Sequence, residues 1–321
     1  MTSLAISIIN YRTGDMTIRC LASVRAALGS RAAEVIVVDN ASGDGSAEDI
    51  GAWIETTGDA RFRLIRSEVN SGFSGGHNQG MAAAPDADFY LILNSDALLR
   101  EDFFDALLPA TEGHPRAGFF APQLEWEDGE VQPSCFRFGS WASEMMRGAK
   151  TAQLTALLKN RVVALPLPPD PDQIEWASFA CILLRARMVR EIGPMDEGYF
   201  LYFEDAEYAL RGARAGWRVV HVPKARAVHL RGGSGPVKSL AAKGARMPRY
   251  YWRSRTRFFR QAHGVTGPLL ANLAWGAGRG IAQARRLFGK PVPGAGEGEW
   301  RDMWTNLTTP LRPDDSGGRR P

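Results

Sequence analysis

Three carboxylates, Glu204, Asp205 and Glu207, follow an aromatic run, Tyr199, Phe200, Tyr202 and Phe203, at the predicted start of a helix. Carboxylates beside apolar surface are candidates for acid–base work, because desolvation raises a carboxylate's pKa. The alternative is structural, since acids gather at helix starts where the dipole favours them. Phe203, Ala206, Leu210, Ala213 and Trp217 recur at helical spacing and predict one apolar face for that helix.

Three further constellations carry chemistry. Asn94 and Asp96 stand two apart just beyond an apolar run, Phe89 to Leu93, so both reach one small ion or phosphate cluster. Oxygen ligands of this kind suit Mg²⁺ or Mn²⁺ bridging a carboxylate and a diphosphate, although Asn and Asp are also ordinary turn formers. The stretch from Asn70 to Gly80 holds four glycines, which permit close backbone approach to a ligand. Its spacing is neither that of a Walker loop nor that of a dinucleotide-binding loop, which argues against a dehydrogenase or a nucleoside triphosphatase. His229 precedes a Gly/Ser turn, where it could serve as a metal ligand, a phosphate donor or a structural residue.

The elements that must position these groups alternate. Leu4 to Asn10, Glu34 to Asp39, Phe62 to Ser67 and Phe89 to Leu93 read as strands. Thr17 to Leu28, Ser46 to Thr56, Asn78 to Ala84 and Glu101 to Leu108 read as helices. That alternation predicts a mostly parallel α/β sheet with helices on both faces, and ligands then bind beyond the carboxyl ends of the strands. Asn10, Asp39, Asn40, Asn70, Asn94 and Asp96 all lie there. Gln123 to Gln173 reads as irregular, Glu175 to Leu184 as a strand, and Trp217 to Val222 and Ala225 to Leu230 as two short strands. Arg249 to His263 and Leu269 to Phe288 read as helices, and the polar tail 314–321 as disordered.

The chain of 321 residues is 45% hydrophobic and 23% charged, as expected of a globular protein with a sizeable core. Its three cysteines, Cys20, Cys135 and Cys181, suggest neither a disulfide framework nor a metal cluster, so a reducing, cytoplasmic setting is expected. No stretch reaches the length of a membrane span. The net charge of +4 conceals an asymmetry: from Tyr208 to Gly296 there are 18 Lys and Arg and no acid. Such a block implies an anionic partner. In Arg249 to Arg260 aromatics interleave with arginines, which predicts either a peripheral contact with an anionic membrane surface or a helical hairpin packed on the rest of the chain with its arginines facing a bound diphosphate. Nucleic acid is the weakest candidate, because no recognised binding module accompanies the basic block.

Taken in order, the motifs resemble those of the inverting glycosyltransferases of family 2, with the GT-A fold, and most of all a bacterial subgroup of rhamnosyltransferases and galactofuranosyl transferases. The resemblance is carried by Ile8-Ile-Asn-Tyr11, Val37-Val-Asp-Asn-Ala-Ser42, the Asn70–Gly80 stretch and Leu93-Asn-Ser-Asp96. It continues in Trp176 to Arg185, Phe200 to Glu207 and His229 to Ser234. The likeness implies a catalytic domain over 1–235, with a nucleotide-binding half to about residue 100 and an acceptor-side half from 101, followed by a basic helical extension over 236–313. Asp39 then resembles the acid that recognises the base, and Asn10, Tyr11, Asn40, Asn70, Gly75 and Asn94 the surroundings of the donor nucleotide. Asp96 resembles the metal ligand of the Asp-X-Asp motif, with Asn94 replacing its first acid, and His229 a further metal or phosphate contact. Asp205 resembles the general base and Glu204 its acidic neighbour, while Trp176 and Ser178 line the acceptor side.

The implied reaction moves a sugar from a nucleotide sugar to a hydroxyl of a surface-polysaccharide or lipid-linked saccharide acceptor. L-Rhamnose from dTDP-rhamnose leads, and a UDP-sugar donor such as UDP-galactofuranose is the alternative, as is a non-catalytic sugar-binding protein of the same fold. Inverting transfer needs a base for the attacking hydroxyl and positive charge for the departing diphosphate. Asp205 answers the first need, and Asp96, His229 and a bound Mg²⁺ or Mn²⁺ the second.

Overall fold

The computed structural model describes residues 3–232, 237–292 and 294–312. The expected disordered tail 314–321, and Gly233 and Ser234 of the His229 motif, lie outside them.

The first strands are aliphatic runs that end in polar residues: β1 (Leu4–Asn10), β2 (Glu34–Asp39), β3 (Phe62–Arg66) and β4 (Phe89–Asn94). Helices α1 (Gly14–Leu28), α2 (Ser46–Thr57) and α3 (Gly72–Ala82) connect them. The strands are parallel, in register so that Asn10 faces Asp39 and Ile9 faces Asn94. β1, β2 and β4 are buried almost throughout, as parallel strands covered on both faces must be. The register brings Asn10, Asp39 and Asn94 to one carboxyl edge.

The second half widens this sheet. β5 (Ala97–Leu99) leads through α4 (Phe103–Glu112) to β6 (Ala117–Glu125). A small excursion follows, with β7 (Cys135–Phe136), α5 (Trp141–Ala149), α6 (Ala152–Leu157) and β8 (Trp176–Ala177). β9 (Cys181–Arg185), α7 (Ala186–Ile192), α8 (Glu204–Arg214) and β10 (Arg218–His229) complete an eight-stranded sheet of order β3-β2-β1-β4-β9-β6-β10-β5. β9 runs antiparallel to β4 and β6, and β5 antiparallel to β10.

Several expectations are corrected. The two short strands expected over Trp217 to Leu230 are one strand, β10, whose register against β6 shifts between Val222 and Arg226, where Pro223 lies. The segment expected to be irregular contains α5, whose start is fixed by a reciprocal Ser140–Ser143 capping box. The glycine stretch is not a loop before a helix but the helix itself, α3.

The chain ends in α9 (Val237–Lys243), α10 (Arg249–His263), α11 (Gly267–Ala284), a 3₁₀ turn (Arg285–Phe288) and α12 (Glu299–Asp302). α11 lies against α5 at glycine contacts: a Cβ on Gly148 would stand 2.2 Å from the Trp275 carbonyl oxygen, and one on Gly278 2.1 Å from that of Met145. α10 packs its aromatics on the segment before α8. Its arginines pair with acids from outside the acid-free block: Arg255 with Glu144 at 2.7 Å and Arg257 with Asp196 at 2.8 Å. These arginines of the basic block are therefore paired within the fold.

Candidate active site

At the carboxyl edge the polar strand ends form a buried network. Asn10 donates from Nδ2 to Asp39 Oδ1 at 2.7 Å and to Ser46 Oγ at 2.8 Å, and its Oδ1 accepts from the Thr13 amide at 3.2 Å. Asp39 also accepts from the Ser42 hydroxyl at 2.6 Å and the Ser42 amide at 3.2 Å, which fixes the turn after β2. The side chains of Asn10 and Asp39 thus hold two strand ends and a turn in one arrangement. Tyr11 is half-buried, with the Arg12 guanidinium 5.2 Å from its ring centroid. Thr13 Oγ1 lies 3.0 Å from Ser95 Oγ, which joins this network to the Asn94–Asp96 turn.

Asn40 ties the edge to α3. Its Nδ2 donates to Asn70 Oδ1 at 3.0 Å and to the Gly72 carbonyl at 2.9 Å, and its Oδ1 accepts from the Ser71 amide at 3.0 Å. The glycines of α3 serve packing. A Cβ on Gly76 would meet Ile9 Cδ1 at 2.7 Å, one on Gly80 the Ser7 hydroxyl at 2.1 Å, and one on Gly75 the Ser71 Cβ at 2.5 Å. Gly72 has φ +69° and faces the Phe200 carbonyl, to which Phe73 donates its amide at 2.8 Å. That contact brings the segment before α8 to the sheet edge.

His229 ends β10 opposite Ala97 of β5, so the imidazole is delivered beside the residue that precedes β5. His229 Nε2 lies 3.5 Å from Asp96 Oδ1, and both side chains are buried. Buried Gln132 donates to the His229 carbonyl at 2.8 Å and accepts from Arg231 Nε at 2.7 Å. The Arg231 guanidinium stacks on Trp126, 4.6 Å from its ring centroid, and feels the charge of Asp96. Gln132 and Arg231 were missed by the sequence reading; only the place of Arg231 in the His229 motif pointed to it.

Among the described residues no group of three or more His, Cys, Asp or Glu converges in a metal-binding arrangement. One carboxylate and one imidazole nonetheless suit a divalent ion whose remaining ligands are diphosphate oxygens and water, the usual state of Mg²⁺ at phosphates.

Before α8 the chain passes through two bulky residues in the left-handed region, Tyr202 at φ 71° and Phe203 at φ 70°. Aromatics of α10 hold them there: Tyr250 stacks on Tyr202 at 6.4 Å and 10°, and Tyr251 and Phe258 flank Phe203. The Tyr202 hydroxyl is pushed up by burial, then by Tyr250, and after it by Glu204, Tyr251 and Asp96.

The three acids of α8 differ. Glu204 is buried, its Oε2 meets no hydrogen-bond partner, and desolvation followed by repulsion from Asp205 pushes its carboxyl well up. Asp205 is half-buried and sits on the more open side. Glu207 is buried, not exposed on the helix surface. It pairs with Arg211, at 2.7 Å, and burial raises its carboxyl. The predicted apolar stripe holds at Phe203, Ala206 and Leu210, which pack in one cluster with Tyr199 and Phe258, but Ala213 is exposed, and α8 ends before buried Trp217.

Trp176 stacks on Phe136 at 4.3 Å and donates its indole N–H to the Arg137 carbonyl at 2.9 Å. It packs against the cluster of Tyr199, Ala206 and Phe258 beside the start of α8. Ser178, half-buried, follows β8 and donates its amide to the Ser134 carbonyl at 2.9 Å.

Residues 4–138 match the family model described as Glycosyl transferase family 2. The chain is 30% identical over 262 residues to N-acetylglucosaminyl-diphospho-decaprenol L-rhamnosyltransferase of Mycobacterium tuberculosis, a match covering 74% of this chain and 80% of the relative. It is 24% identical over 162 residues to rhamnosyltransferase WbbL of Escherichia coli, covering 48% of this chain and 60% of that one. Among solved structures, mannosyltransferase PcManGT from Pyrobaculum calidifontis, in complex with GDP-Man and Mn²⁺, matches with a TM-score of 0.58 at 15% identity, over 96% of this chain and 84% of that chain. Residues 1–349 of TarS from S. aureus match with a TM-score of 0.55 at 12% identity, over 97% and 81%. These likenesses show the fold, that of the GT-A glycosyltransferases.

Proposed function

Because the chain belongs to glycosyl transferase family 2 and is a glycosyltransferase, we propose that it transfers L-rhamnose from dTDP-rhamnose, with inversion, to a hydroxyl of a saccharide carried on a polyprenyl diphosphate. The sugar and the acceptor class rest on the name of the 30%-identical relative. The observation that supports the chemistry is the buried Asp96–His229 pair, 3.5 Å apart at the end of β10, together with buried Glu204 at the start of α8, the charges of Asp96 and Glu204 both reaching the Tyr202 hydroxyl.

In this reading Asp205 takes the proton of the acceptor hydroxyl as its oxygen attacks the anomeric carbon. The bond from that carbon to the diphosphate breaks, and the nucleoside diphosphate leaves with the electron pair. A proton held on desolvated Glu204 removes a like charge beside Asp205. Asp96 and His229 would hold a divalent cation, Mg²⁺ or Mn²⁺, which when bound would neutralise charge on the departing diphosphate. Arg231 adds a fixed cation on the same side, a useful one where Asn94 stands in place of a second acid. Asn10, Asp39, Asn40 and Asn70 position the edge against which the nucleotide lies. Trp176 and Ser178 face the acceptor, and residues 236–313 buttress the catalytic part, 1–235, through α10 and α11.

A thermal-shift panel of nucleotide sugars, with and without Mn²⁺, tests the donor. Stabilisation by dTDP-rhamnose but not by UDP-sugars is expected. A shift with UDP-sugars alone would overturn the donor, and no shift with any nucleotide sugar would overturn the transferase reading of the site.

A further inference from the structure

The inner face of α11 is spent on α5, but its outer face has no partner among the described residues. Leu269, Leu270, Leu273 and Ile281 are exposed along it, and the face runs on into Leu287 and Phe288, 85% and 79% exposed. Between them the exposed positions Gly276, Ala277, Gly280 and Ala284 are small, while exposed Gln283 and Arg286 lie to one side on the helical projection. A strip of about 30 Å from Leu269 to Phe288 is therefore apolar or small along its centre, with Arg286 flanking its carboxyl end. Scattered exposed aliphatics are ordinary, whereas a continuous helical strip of them is not.

At its carboxyl end the strip meets a cleft lined by Arg279, Gln283, Arg286 and Lys290. Arg286 and Lys290 of that cleft are exposed. Among the described residues no helix is long and apolar enough to cross a membrane. A helix with one apolar face, one packed face and a basic end lies in an interface rather than spanning it.

We propose that the outer face of α11 and the turn at Arg285–Phe288 dock on an anionic lipid surface, with the apolar strip in the headgroup–acyl boundary and the Arg279–Arg286–Lys290 cleft on lipid phosphates. Charge complementarity selects anionic lipid over a second copy of the chain, because the cleft at the end of the strip is basic and a second copy presents the same basic cleft. The proposal concerns a surface distant in sequence from Asp96 and Asp205 and stands whether or not the donor assignment does.

Flotation of the full chain with phosphatidylcholine vesicles, with and without phosphatidylglycerol, tests it and needs neither donor nor acceptor. The wild type is expected to float with the phosphatidylglycerol vesicles and to be released by high salt. Leu273→Glu/Ile281→Glu/Phe288→Glu, all at exposed positions, should weaken binding at least about tenfold. It should keep the wild-type melting temperature, and Arg286→Gln/Lys290→Gln should lose the preference for phosphatidylglycerol. A wild type left at the bottom of the gradient, or a triple variant that floats as well as the wild type, would overturn the proposal. So would a wild-type dimer that the triple variant converts to monomer without any vesicle binding.

Discussion

The antiparallel pairing of β5 with the end of β10 sets His229 beside Asp96, with Nε2 3.5 Å from Oδ1, although the two residues lie far apart in sequence. The last residue of β10 thus places its imidazole beside the turn that follows β4. In the proposed reaction this pair holds the ion, so each of its members should matter separately. Asp96→Ala and His229→Gln are each expected to weaken Mn²⁺-dependent donor binding by about tenfold or more. Titration calorimetry with nucleotide sugar, in Mn²⁺ and in EDTA, reads the effect. Unchanged binding in Mn²⁺ for both variants would remove the ion from this pair.

Asp205→Asn separates the base from the donor site. It keeps the shape of the side chain and removes the proton acceptor, so kcat should fall about 10²–10⁴-fold while the donor dissociation constant stays put. Wild-type turnover would assign the base elsewhere. Glu204→Gln, which mimics the protonated neighbour, should retain far more activity than Asp205→Asn.

Glu204 also makes a prediction for stability. Desolvation, then Asp205, raises its carboxyl well above the ordinary 4.5 in the folded chain. The unfolded chain releases this proton more readily, so the group costs stability as the pH rises above 4.5 and costs none below it. Glu204→Gln should therefore melt higher than the wild type at neutral pH, and the gap should close as the pH falls towards 4.5. A gap that is constant with pH would mean that Glu204 is not held protonated.

The sequence made the parallel half of the fold legible, because β1, β2 and β4 are uninterrupted aliphatic runs that end in polar residues, and those ends are the site edge. It hid α3, since glycine is a poor helix former. There the missing Cβ atoms are what let the helix close on Ile9 and Ser7. It split β10 at Pro223, where a register shift absorbs the proline. The acid-free block looked like a surface awaiting an anion because its partners, Glu144, Asp196 and Asp302, come from other parts of the chain. Nothing local in the sequence announces such pairing, and the support of Tyr202 and Phe203 by α10 was hidden for the same reason.

The α5–α11 contact should be intolerant of volume. A side chain on Gly278 points at the Met145 carbonyl, which is backbone and has no rotamer to change. Gly278→Val is expected to cost about 1–3 kcal/mol, read by denaturant unfolding. Gly280→Val, on the open side where a Cβ meets nothing within 4 Å, should cost less than about 1 kcal/mol. Equal losses would mean that the two helices do not pack through this glycine.

Arg255 anchors the extension most deeply. It is 1% exposed, donates to Glu144 at 2.7 Å and to Asn272 at 2.8 Å, and so joins α10 to both α5 and α11. Arg147 joins the same carboxylate at 2.6 Å and reaches Glu299, the first residue of α12. Burial works to raise the Glu144 carboxyl, but the Arg147 and Arg255 guanidiniums outweigh it and hold it down at about 2. A depressed carboxylate stabilises the fold above its unfolded value of 4.5 and loses that contribution as the pH falls towards 2. Arg255→Met removes one of the two cations and leaves Asn272 without its donor, so a loss of about 3 kcal/mol is expected at neutral pH. The difference between the wild-type and variant melting temperatures should narrow as the pH is lowered from 4.5 towards 2, because the pairing that separates them is lost in that window. A difference that stays the same across the window would assign the loss to packing of the Arg255 stem rather than to its charge.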